Sequence, residues 1–217
     1  MATTNESDVS RQKTRRVRED GVRSRRAILD AAARLATVEG LAGLSIARLA
    51  DKAGISKSGL FAHFGSKEEL QLATIDAARE IYQREIFDPA LDEPDPLARL
   101  KALCERFLAM VGGDLFPGGC FFSSVNAEFD TRPGPVLDRL IELDDEWVAL
   151  LAGQVEAARA AGQLSPTVDP EQVAFDLNAF LHAANEQFVL RRDRAQLDRA
   201  RHSIDAYLAV LTAGADR

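Results

Sequence analysis

The chain has 217 residues, 46% of them hydrophobic and 28% charged, which is long enough to bury a sizeable core and too apolar for a disordered chain. Two cysteines and three histidines rule out a disulfide framework and offer no zinc-ligand spacing, so no metal or cofactor is expected. A polar N-terminus without an apolar core segment, and the lack of any long apolar run, point to a cytoplasmic protein that does not engage a membrane.

The net charge of −7 divides unevenly, with +4 over the first 70 residues and −11 over the rest. A basic head can meet phosphates while an acidic body stays away from them. Alanine, leucine, arginine and glutamate recur and long β-branched runs are absent, which predicts an all-α fold.

Residues 1–23 read as a basic flexible arm carrying Arg11, Lys13, Arg15, Arg16, Arg18 and Arg23. It is either a solvated tail or an arm that reaches phosphates or a minor groove. Ser24 can cap a first helix to about Glu39, with Ile28, Ala31, Leu35 and Val38 as one apolar stripe and Gly40 as its end.

The stretch from Ser45 to Leu70 then reads as three short helical pieces. Ile46, Leu49, Ala50 and Ala53 share one side of the first, which Gly54 can end. Ser56 can cap the second, in which Leu60 and Phe64 face inward and Lys57, Ser58 and Phe61 face out. Two helices around a tight Gly-containing turn predict a helix-turn-helix, because the major groove admits one helix. Lys57 suits guanine acceptors, Ser58 can donate or accept, and Gly59 permits close backbone approach. Ser66 and Glu69 form a capping box that leaves Lys67 in a first helical turn, where a cation and free N–H groups suit a phosphate. Spacing alone also fits a compact helical hairpin inside a larger all-α core.

The run from Leu49 to Leu70 resembles the DNA-binding module of the TetR/AcrR family of transcriptional regulators. Leu49-Ala50, Ala53-Gly54-Ile55-Ser56, Leu60-Phe61, His63-Phe64 and Ser66-Lys67-Glu68-Glu69-Leu70 carry the likeness. It is specific over about residues 24–72 and architectural beyond them. Phe61 departs from the family's usual tyrosine and so lacks a hydroxyl for a phosphate. The resemblance implies a three-helix head over residues 24–70 that binds an operator in double-stranded DNA. The DNA-facing set is Ser45, Arg48, Ser56, Lys57, Ser58, Gly59, Phe61, His63 and Lys67.

Residues 71–217 read as the body, for about nine helices in all. A helix from Ser66 continues to about Phe87, turning Leu70, Ile75 and Ile81 inward, until the proline-rich DPALDEPDP interrupts it. Further helices follow over about 96–111, over CFFSSVNAEF, from Pro135 to about Ala161, from Pro170 to about Arg192, and over about 195–213. Val173, Leu177, Phe180, Leu181, Ala184 and Phe188 stripe one of the last two helices, and Leu197, Ile204, Leu208 and Leu211 the other. These stripes either pack within one chain or, as the resemblance implies, pair two chains as a homodimer through a four-helix bundle.

The resemblance also implies a small-molecule effector site in the body. Phe107, Cys120, Phe121, Phe122, Trp147, Phe180 and His182 are its candidates, with Ser123, Asn126, Asn178 and Asn185 as nearby polar groups. Cys120 at a helix start is either a reactive thiol, which would make the protein a thiol-based sensor, or a small buried hydrophobe; Cys104 reads as core. An enzyme with Cys120 as nucleophile and His182 as base lacks a third group to orient the base, so none is expected. The expected function is a homodimeric repressor released from its operator by a ligand, with a ligand-independent DNA-binding protein as the alternative.

Overall fold

The computed structural model describes residues 5–44, 46–53, 56, 60 and 64–213, with side chains described from residue 21 onward except at 46, 47, 52, 53 and 213. Every regular element among them is helical: α1 (Asn5–Glu39), α2 (Ile46–Ala53), α3 (Lys67–Tyr82), a π-helical turn (Gln83–Phe87), α4 (Asp88–Leu91), α5 (Pro96–Val111), α6 (Phe121–Phe129), α7 (Pro135–Ala160), α8 (Pro170–Arg191) and α9 (Ala195–Ala213).

Polar caps start several of these helices by satisfying orphan N–H groups. Ser66 Oγ accepts from Glu69 N at 3.0 Å, Asp95 from Ala98 N at 2.7 Å, and Asp169 from Glu171 N at 3.0 Å. Pro96, Pro135 and Pro170 occupy first-turn positions, where the missing N–H costs nothing.

The first helix is longer than expected. It begins at Asn5 rather than Ser24, so most of the segment read as a flexible arm continues the helix; no proline interrupts it before Ser24 and only Gly21 weakens it. Its stripe is also displaced. Ile28, Ala32, Leu35 and Ala36 are buried, whereas Val38 is 63% exposed.

The expected break after Phe87 is softer than the prolines suggest. The Asp88 N–H bonds back five residues to Gln83 O, and Pro89 enters the first turn of α4, where it gives up no needed donor. The helical path therefore reaches Leu91.

α1 packs on α2, α3 and α6, while α7 and α8 pair along their lengths with α5 and α9 on either side. Leu100, Leu103, Val125, Leu151, Val155, Leu177 and Leu181 are no more than 0% exposed at this centre; burying one such side chain is worth about 1.5–3 kcal/mol. Cys104 is core, as expected, and burial pushes its thiol up to about 12.

The stripes expected to pair two chains are largely used within one. Val173, Leu177, Leu181, Ala184, Phe188, Leu197, Ile204 and Leu208 are all buried. What α8 and α9 leave exposed is a different set, Phe175 at 65%, Leu190 at 71% and Val210 at 72%. Among the described residues no helix is long and apolar enough to cross a membrane.

Candidate functional site

Head and body meet along the second half of α1. Lys67 Nζ donates to Ala42 O at 2.6 Å and Gln71 Nε2 to Leu41 O at 3.3 Å, so α3 holds the loop that leads into α2. Arg48 is exposed and pairs with Glu39 at 2.8 Å. Ser56 is exposed, and its carbonyl accepts from Leu60 N at 3.0 Å. Leu60 and Phe64 are buried at 1% and 5%, the inward pair that the four-residue spacing predicts. Arg25 lies 4.8 Å over the Phe64 ring, and Arg26 pairs with Asp30 and Glu80. Ser45, Lys57, Ser58, Gly59, Phe61 and His63 lie outside the described residues.

In the body, a cavity of about 420 Å³ opens between α3, the π turn, α4, α5, α6, α7 and α8. Of the seven residues proposed from sequence, Phe107, Cys120, Phe122, Trp147 and His182 line it. Two do not. Phe121 is fully buried against Phe116 and Phe122 as ordinary core. Phe180 lies on the far flank of α8, edge-on to Tyr207 with ring centres 5.8 Å apart. Both placements have one origin, since neighbours on a helix point about 100° apart and only the packed partners decide which of them faces a void.

Three rings stack nearly parallel across one wall. Phe87 and Trp147 lie 5.6 Å apart at 16°, and Phe107 and Trp147 6.3 Å apart at 20°. The indole N–H donates to Asn178 Oδ1 at 2.9 Å, which holds the middle ring in place. Opposite, Tyr82 and Phe122 meet edge to face at 4.9 Å. At the mouth, Arg79 reaches Glu146 at 3.1 Å and Gln83 at 2.8 Å, and Asp144 lines the rim. Asn126 faces the cavity, and its Oδ1 is buried without a hydrogen-bond partner among the described residues.

The floor of the cavity is a hydrogen-bonded cluster around the start of α6. Tyr82 OH donates to Cys120 Sγ at 3.2 Å and accepts from Phe121 N at 3.1 Å. Cys120 Sγ also accepts from Ser123 N at 3.4 Å, and so caps the helix. Cys120 N donates to Asn185 Oδ1 at 2.7 Å. Burial, and then the adjacent Cys120 sulfur, push the Tyr82 phenol well above its ordinary value. Cys120 itself is 3% exposed, so its sulfur serves here as a buried acceptor.

Sequence reasoning missed Arg79, Tyr82, Gln83, Phe87, Leu91, Leu143, Asp144, Glu146, Ala149 and Leu150 as cavity residues. Tyr82 and Phe87 stand near the end of the helix read from Ser66 to about Phe87, but a spacing of five places them on different faces of a regular helix.

A basic helical head joined by one long helix to an acidic helical body with an apolar cavity is the build of a DNA-binding regulator of the helix-turn-helix class. The chain matches the family model "Bacterial regulatory proteins, tetR family" over residues 28–74 and the model "Tetracyclin repressor-like, C-terminal domain" over residues 96–204. It is 31% identical over 193 residues to the HTH-type transcriptional regulator TtgR of Pseudomonas putida, covering 84% of this chain and 88% of that protein. It is 28% identical over 164 residues to the HTH-type transcriptional repressor BepR of Brucella suis, covering 74% and 78%. A TetR transcriptional regulator from Chloroflexus aurantiacus superposes with a TM-score of 0.82 at 26% identity, covering 88% of this chain and 96% of that one. The chain belongs to the TetR family of transcriptional regulators and binds DNA through its head.

Proposed function

We propose that the protein is a homodimeric repressor, released from its operator when a small, largely aromatic molecule enters the body cavity. Residues 24–70 act as the DNA-binding head and 71–217 as the effector-binding and dimerisation body. One observation carries this reading: the helix that starts at the Ser66 cap of the head ends in the cavity wall, where Arg79, Tyr82, Gln83 and Phe87 line the void. A ligand that prefers one position of that helix shifts the head with it, and only by its unequal affinity for the two positions.

The cavity chemistry defines the effector. Stacked rings favour a flat apolar body, and the unpartnered Asn126 Oδ1 favours one hydrogen-bond donor on it. The exposed Phe175, Leu190 and Val210 on α8 and α9 support pairing with a second copy, and twofold pairing sets two heads on successive major grooves. Lys57, Ser58 and Gly59 are the proposed contacts to base edges. Ser45, Arg48, Ser56, Phe61, His63 and Lys67 complete the proposed DNA-contacting set.

The test is binding to a duplex selected by the protein from a random library. Affinity should fall steeply with salt, with log K against log salt sloping by about −0.9 for each phosphate neutralised. Lys57→Ala should weaken the selected duplex by about 1–3 kcal/mol and random duplex far less. A flat salt dependence, or an equal loss on both duplexes, would sink the assignment.

A further inference from the structure

α6 is one helix thick between the cavity and the head. Phe122 and Asn126, four residues apart, face the cavity. Glu128, two residues on from Asn126 and therefore about 200° around the helix, points the other way. Its carboxylate takes two successive backbone N–H groups at the end of α1, Leu41 N to Oε2 at 2.6 Å and Ala42 N to Oε1 at 3.0 Å. Gly40 makes the approach possible: its φ is +79°, and a Cβ there would lie 2.9 Å from Glu128 Oε1.

The same body segment touches α1 at two more points. Arg34 Nη1 donates to Leu115 O at 2.7 Å, and Gly118 N donates to Thr37 Oγ1 at 3.0 Å. Gly118 presses so closely that a Cβ would sit 1.8 Å from Thr37 O. The head is thus attached twice, by the continuous helix α3 and by this clamp from residues 115–128.

We infer that Glu128 is a positioning residue for the head, through which α6 passes the state of the cavity to the loop entering α2. Two attachments make the head a lever. Motion of α3 alone is resisted by the clamp, whereas displacement of α6 by a cavity occupant moves the 41–42 peptides directly. The carboxylate suits the task because charge-assisted bonds to two adjacent N–H groups fix direction as well as distance. The inference rests on the cavity being the effector site.

The probe is N-phenyl-1-naphthylamine, neutral and aromatic with one N–H for Asn126. Its binding is read by energy transfer from Trp147, the chain's only tryptophan. Two readouts are taken on the full-length protein and on Glu128→Ala and Glu128→Gln: amide exchange at Leu41 and Ala42, and affinity for the selected duplex, each with and without saturating probe. In wild type the probe should change exchange at both amides at least tenfold and lower duplex affinity at least tenfold. In Glu128→Ala both ratios should fall to within about twofold of one while the probe still binds, with Glu128→Gln in between because its amide keeps one acceptor. Glu128→Gln also supplies the comparison if the alanine variant does not fold.

Duplex release in wild type without any change at Leu41 and Ala42 would overturn the Glu128 role and leave the repressor reading standing. A change at those amides without duplex release would do the reverse. Equal ratios in wild type and variants would also overturn the Glu128 role, and failure of the probe to bind would remove the cavity and the inference together.

Discussion

Tyr82→Phe removes a single oxygen that makes two hydrogen bonds at the cavity floor. One is the acceptor for the buried Phe121 N–H at 3.1 Å, and the other a donation to Cys120 Sγ at 3.2 Å. The two losses differ in size. Cys120 Sγ keeps the Ser123 N–H, so the lost O–H···S bond costs about 0.5 kcal/mol, the low end for a hydrogen bond. The Phe121 N–H belongs to the first turn of α6, where no carbonyl of its own helix can take it. An unsatisfied buried donor costs about 1–3 kcal/mol. The sum is about 1.5–3.5 kcal/mol, or a melting temperature lower by about 3–14 °C for a chain of this length.

The assay is thermal melting by circular dichroism at neutral and alkaline pH. The folded-state phenol titrates above its unfolded value of 10.0. The stability gained by keeping it neutral is therefore fully present below pH 10 and is lost as pH rises beyond that toward the folded-state value. The phenylalanine variant has no such group, so the gap between the two proteins should narrow above about pH 10. A neutral-pH drop below about 2 °C would show that the Phe121 N–H is satisfied elsewhere, and a gap that stays constant into alkali would refute the link to burial of the phenol.

Two further outcomes test the cavity and the exposed face. Trp147→Ala removes the middle ring of the stack and should weaken N-phenyl-1-naphthylamine at least tenfold, read by the probe's own emission; Trp147→Phe should restore most of the loss, and equal affinity in all three proteins would show that the probe sits elsewhere. Phe175→Asp places a charge on the exposed face of α8 and should give a monomer by sedimentation, with weaker binding to a selected palindromic duplex; an unchanged dimer would exclude that face from the contact.

The parts of the fold legible in the sequence were those set by local chemistry. Ser66 announces a helix start through a side-chain oxygen that reaches the N–H group three residues on, and the structure places a cap there; Asp95 and Asp169 cap the helices that Pro96 and Pro170 begin. Cys120 was legible as a helix start and ambiguous in role, because a thiol there serves equally as reagent or cap. Its bonds to Ser123 N and Tyr82 OH come from the fold, and the second partner lies 38 residues away. Val38 fits the same stripe as Ile28 and Leu35 by period alone, yet α1 turns it to solvent because α3 and α6 cover the side bearing Ala32 and Ala36.

The cavity wall was hidden for a geometric reason. Tyr82 and Phe87 are five residues apart, which in a regular α-helix puts them about 140° apart and on different faces. No periodicity argument would assign both to one wall. The π turn between them closes from Asp88 N to Gln83 O, five residues back rather than four, and so brings positions five apart toward the same side. Both rings then line the void, with centres 6.4 Å apart. The irregularity lies where the helix from the head enters the body. The wider turn changes which residues of the link the cavity meets, and nothing in the hydrophobic pattern of residues 83–87 distinguishes it from an ordinary turn.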